Sequence, residues 1–172
     1  MKYYLSVLAG LTTASFLCVS PVSADLPSSG LYYLQAQHSG KCLHQHGGNQ
    51  NEGGAVTQWK CINQRNVQVE KLQVGSGYFM LRFRHSGKCL TVLNEGRSNG
   101  TPIVQQTCNY EGPIGQTWKQ LPGQGAYVKI QSSTGLCLHQ HGATFGDGDR
   151  ITGWECVDQG NVRWKWTPAP AN

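Results

Sequence analysis

Two short segments carry the residue types most able to do chemistry: Leu43-His44-Gln45-His46-Gly47 and Leu138-His139-Gln140-His141-Gly142. Each is followed by a tryptophan, Trp59 or Trp154, 15 residues after its first histidine. On a strand, residues two apart share a face, so either histidine pair could clasp zinc. No third ligand at zinc spacing accompanies them, and we expect neither a metal nor another cofactor. The sequence has no Gly-x-Ser-x-Gly elbow and no carboxylate pair in a catalytic frame, so the chain is not expected to be an enzyme. A tryptophan at a strand end often belongs to a core. Here, however, histidine and tryptophan are kept or lost together. Where a middle copy would stand, the chain has Thr91-Val92-Leu93 and Gln106. Packing alone does not require that coupling, which marks the outer two segments as candidate sites.

These segments belong to three tandem repeats. Cys42 and Cys61, Cys89 and Cys108, and Cys137 and Cys156 are each separated by 19 positions. Gly40, Gly87 and Gly135 stand two before each first cysteine, and Leu43, Leu90 and Leu138 stand one after it. Val56, Ile103 and Ile151 fall five before each second cysteine. A fixed period of this kind marks a repeat architecture. Six cysteines allow about 15 pairings, but equivalent units should close equivalent loops. The expected disulfides are Cys42–Cys61, Cys89–Cys108 and Cys137–Cys156, each stabilising by about 3 kcal/mol in the chain-entropy picture.

The elements that must position the sites are short strands. Tyr127-Val128-Lys129-Ile130 and Val162-Arg163-Trp164-Lys165-Trp166 alternate at period two. Turns such as Gly47-Gly48-Asn49 and Asn99-Gly100 punctuate the chain, and no helical stripe appears. The class is all-β, and three copies of four strands suit a closed three-fold barrel without free edges.

Residues 1–24 read as a signal peptide: Lys2, an apolar run from Leu5 to Val19, then Val22-Ser23-Ala24 as a cleavage site. That run is too short to span a membrane. Its removal takes away the odd cysteine, Cys18, and lowers the formal net charge from +5 to +4. An even cysteine count in an exported chain suits disulfides, and the protein is expected to be secreted. The remaining basic residues form no block, which argues against nucleic-acid binding. The organisation expected is a linker over 25–30, one domain over 31–168 with repeats at about 31–76, 77–124 and 125–168, and a tail at 169–172. The Pro- and Ala-rich end from Thr167 reads as disordered.

The pattern resembles the ricin B-type lectin domain, a β-trefoil. The resemblance rests on Gly-x-Cys-Leu (Gly40-Lys41-Cys42-Leu43), the cysteine interval, the aromatic in Gln58-Trp59-Lys60-Cys61 and Gly153-Trp154-Glu155-Cys156, and Gln116-Thr117-Trp118. In that family an Asp after Cys-Leu accepts from sugar hydroxyls, an aromatic stacks on the sugar, and an Asn or neighbouring Gln completes the contact. The resemblance implies a first site of His44, His46, Trp59 and Gln68 and a third of His139, His141, Trp154 and Arg163. The middle unit offers only Thr91, Gln106 and Gly115. The family's Asp is absent throughout. Glu52 and Asp147 are the loop carboxylates that could replace it, and histidines orienting a sugar would lose affinity below about pH 6. The implied partners are glycans on cell-surface glycoproteins or glycolipids. The alternative is a receptor-binding or assembly subunit of a secreted toxin, of the cytolethal distending type, with other toxin subunits as partners.

Overall fold

The computed structural model describes residues 30–170. The signal-peptide reading and most of the 25–30 linker lie outside the described residues. Among the described residues twelve strands run in chain order: β1 Gly30–Ala36, β2 Cys42–Gln45, β3 Gly54–Trp59, β4 Val69–Gly75, β5 Tyr78–Phe83, β6 Cys89–Val92, β7 Thr101–Gln106, β8 Trp118–Pro122, β9 Val128–Ser132, β10 Cys137–Gln140, β11 Ile151–Trp154 and β12 Arg163–Pro168. Antiparallel pairing closes six of them into a ring, β1-β4-β5-β8-β9-β12 and back to β1. The other six form three hairpins, β2–β3, β6–β7 and β10–β11. Strands β3, β7 and β11 meet around the pseudo-three-fold axis, where Thr57 bridges Arg150 to complete the circle. This is the β-trefoil.

Its core follows from the repeat. Leu43, Leu90 and Leu138, directly after each first cysteine, are fully buried, as are Phe79, Phe83, Ile130, Trp118 and Trp164. The two indoles also satisfy backbone carbonyls, Trp118 Nε1 donating to Leu90 O at 3.1 Å and Trp164 Nε1 to Leu138 O at 2.8 Å. The disulfides are the three expected ones. The glycines before the cysteines take left-handed φ values of 69°, 68° and 99° at Gly40, Gly87 and Gly135, which explains why glycine recurs there.

One correction concerns the C-terminus. Thr167 and Pro168, read as the start of a disordered tail, pair with Tyr33 and Tyr32 of β1. Ala169 N also donates to Leu31 O. A barrel has no edge to spare, so β1 needs β12 along its length.

Candidate functional site

Strand β2 and its counterpart β10 put His44 and His139 on the outer side of the hairpins, where each packs beside the tryptophan closing the next strand. The His44 and Trp59 rings stack with centroids 5.2 Å apart and planes 29° apart; His139 and Trp154 stack at 4.9 Å and 27°. Both tryptophans are half-buried, whereas His44 and His139 are only 4% and 6% exposed. Each imidazole is spent on both nitrogens. Nδ1 meets Thr57 Oγ1 at 2.9 Å in the first unit and Thr152 Oγ1 at 3.1 Å in the third. Nε2 meets the side-chain amide nitrogen of Asn66 or Asn161, at 3.0 Å in each. An amide nitrogen can only donate, so Nε2 accepts and Nδ1 carries the proton, donating to threonine.

The asparagines correct the sequence reading, in which Gln68 and Arg163 held this place. Residues 65–67 and 160–162 each form a single 3₁₀ turn. Asn66 and Asn161 sit inside these turns and reach the histidines. Gln68 and Arg163 lie two residues further on and are turned elsewhere. Gln68 donates to Asn63 Oδ1 at 2.8 Å and accepts from Arg84 Nη1 at 2.8 Å. Arg163 donates to Gln124 Oε1, Asp158 O and Gln159 O. The missed signal was the dipeptide Asn66-Val67, which returns as Asn161-Val162 and has no middle copy.

The middle unit lacks every part. Thr91 turns back to Cys89 O, and Gln106 stands where the tryptophans do. Gly115 occupies the asparagine's place, and a Cβ there would lie 3.0 Å from Val92 O. The tryptophan of Gln116-Thr117-Trp118 therefore matches Trp164 and Val69 in the other two units. Backbone bonds from Arg84, Ser133 and Gln37 to the carbonyls of Gln68, Thr117 and Arg163 set the same register.

The loop carboxylates cross between units instead of serving their own. Gln58 and Gln105, both buried, hold the preceding loop of the circle. Gln58 Nε2 donates to Gly146 O at 2.9 Å, and Gln105 Nε2 to Asn49 O at 2.6 Å. Glu52 is thus carried to the middle unit, where it binds Lys88 Nζ, Thr107 N and Thr107 Oγ1. The hydrogen bond from Lys88, with those from Thr107, holds its carboxyl down at about 2. Asp147 of the third unit comes to the first, 2.6 Å from Lys41 Nζ and 3.9 Å from Lys60 Nζ. Its third-site counterpart is Asn99, whose Oδ1 accepts from Glu155 N at 2.7 Å. Neither Glu52 nor Asp147 supplies its own unit's histidine with a carboxylate.

His46 is exposed beside the first site, its ring 6.2 Å from that of His44. His141 holds the same relation to His139 at 6.3 Å. Among the described residues no three His, Cys, Asp or Glu side chains converge for a metal.

Burial drops the pKa of His44 from 6.5 to about 4, the positive field of His46 helping and Asp147 opposing. Burial does the same to His139, with help from His141. Both rings are neutral at physiological pH. In the unfolded chain they protonate near 6.5, so acid favours unfolding. Stability from these groups is full above about pH 6.5 and is lost progressively as pH falls toward 4. Allowing for screening, we expect a loss of about 1–2 kcal/mol per histidine. Urea midpoints taken across that range check it, and the slope should flatten in His44→Asn/His139→Asn.

Residues 23–106 match the family model described as a ricin-type beta-trefoil lectin domain-like family. Among curated proteins none matches the chain's sequence. The designed three-fold symmetric protein ThreeFoil superposes with a TM-score of 0.77 at 29% identity, over 80% of this chain and 98% of that one. The exo-beta-1,3-galactanase 1,3Gal43A from Clostridium thermocellum gives 0.77 at 28% identity, over 83% of this chain and 31% of the enzyme. The ricin B-like lectin of Macrolepiota procera, solved in complex with lactose, gives 0.72 at 17% identity, over 85% and 99%.

Proposed function

We propose that this chain, whose residues 23–106 match the ricin-type beta-trefoil lectin domain-like model, is an exported, non-enzymatic lectin that binds cell-surface glycans through shallow sites in its first and third units. The observation that carries this reading is that tryptophan, histidine and asparagine occur together in two units and are lost together in the middle one. A sugar has an apolar face and a rim of hydroxyls, so a half-buried indole beside fixed polar groups complements it. Three disulfides suit an oxidising compartment. No helix among the described residues is long and apolar enough to cross a membrane.

The atoms assigned to the binding in this reading are the asparagine carboxamide oxygens. His44 and His139 are saturated by their threonines and asparagines, so they act as props that aim the amides. Among the described residues, Oδ1 of Asn66 and of Asn161 has no partner and is free to accept from a sugar hydroxyl. With histidine pKa values near 4, binding should be equal at pH 7.5 and 5.5 and should fall only near pH 4. Burial of the two histidines thus moves the expected decline from about pH 6 down to about pH 4.

A glycan array probed with the wild type, Trp59→Ala and Trp154→Ala is the test. Each single variant should lose signal on the glycans that the wild type binds. A wild type that binds none, or variants that bind as it does, would overturn the proposal.

A further inference from the structure

The hairpins leave a cavity of about 310 Å³ on the pseudo-three-fold axis, and neither Trp59 nor Trp154 lines it. The repeat dictates its shape. Val56, Ile103 and Ile151, equivalent residues of the three units, are buried and form an apolar floor. The next position outward is Ala55 in the first unit, Pro102 in the second and Arg150 in the third. Two units thus present small apolar groups at the mouth, and the third presents a guanidinium. Among the described residues Arg150 forms no ion pair. His141 also lines the cavity, and its Nδ1 is buried without a hydrogen-bond partner. An orphaned buried polar atom calls for a partner.

We propose that this axial cavity binds a small apolar carboxylate. The floor takes the hydrocarbon body. Arg150 takes the carboxylate, for which its planar fork is suited. His141 Nδ1, as the N–H tautomer, offers a further donor. The volume lies at the small end of ligand pockets and suits a molecule the size of benzoate or hexanoate. The charge preference is set by Arg150, the one Lys or Arg among the residues that line the cavity.

The site stands apart from the glycan reading, and its test uses no sugar. The full chain, labelled at Val and Ile methyl groups, is titrated with benzoate and with neutral benzamide while methyl resonances are followed. Benzoate is expected to shift Val56, Ile103 and Ile151 and to bind at least about tenfold more tightly than benzamide, a difference in keeping with a charge-assisted contact. Arg150→Ala should remove that preference, and Arg150→Lys should keep part of it. Ala55→Phe should block both ligands while leaving the other methyl resonances in place. Equal binding of the two ligands, shifts centred away from the floor, or no shift at millimolar benzoate would each overturn the proposal.

Discussion

Trp59→Ala/Trp154→Ala is expected to abolish adhesion to a dense glycan surface, whereas either single variant leaves weak, rapidly reversible binding. Single sugar sites are weak, and two on one rigid body make the second contact intramolecular. That linkage raises avidity by about 10²–10⁴-fold without any new contact. Each single variant should therefore lose most of the surface affinity while still binding free saccharide at its remaining site. The double variant should bind neither. The two proposed sites sit on equivalent hairpins of one closed barrel, so their spacing is fixed by the fold and no linker dilutes the effect. Surface plasmon resonance on glycan-coated chips, beside calorimetry with free saccharide, separates the two quantities. If a single variant holds the surface as tightly as the wild type, the two-site reading is wrong. The indoles are half-buried and stack on the buried histidines, so the variants should stay folded with a modest fall in thermal stability, too small to account for the loss of binding.

Trp118→Ala is expected to cost about 3–5 kcal/mol, a large share of the stability of a domain of this size. Trp118 is fully buried, and its Nε1 holds the Leu90 carbonyl of the adjoining hairpin. Removing it opens a cavity and also leaves that carbonyl without its partner. Trp118→Phe separates the terms, because most of the volume stays while the bond goes; a loss of about 1–3 kcal/mol is expected. Urea unfolding of the oxidised protein measures both. Comparable losses in the two variants would mean that the hydrogen bond, not the packing, dominates. Glycan binding should survive in whatever fraction stays folded, since Trp118 belongs to the unit to which no site is assigned in the proposal.

Much was legible in the chain because it is written three times. The all-β class, the disulfide pairing and the buried leucines depend on residues whose roles recur at fixed intervals, and recurrence turns one ambiguous signal into three concordant ones. The contrast between the outer units and the middle one was equally visible, since it is a difference between aligned residues. Alignment by counting failed where side-chain direction mattered. Gln68 and Arg163 stand two residues past the asparagines that reach the histidines, and only the 3₁₀ turn ahead of β4 and β12 decides which residue faces the site.

The same limit holds for every contact made between units. Nothing in the local sequence says that Asp147 serves the first unit, that Glu52 serves the second, or that a lone Arg150 joins Ala55 and Pro102 around one cavity. Repeats specify their own strands through local pattern and covalent loops. The positions of loops against neighbouring units depend on how three hairpins close around an axis, with partners about 50 to 100 residues apart in the chain. The histidines show the division most clearly. Their presence, their spacing and their pairing with tryptophan were determined by the sequence alone. That they are buried, neutral and already saturated, so that among the described residues the polar atom left without a partner is the carboxamide oxygen of the asparagine beside each one, was decided by the tertiary structure, because desolvation and hydrogen bonding belong to the surroundings a side chain meets and not to its place in the chain.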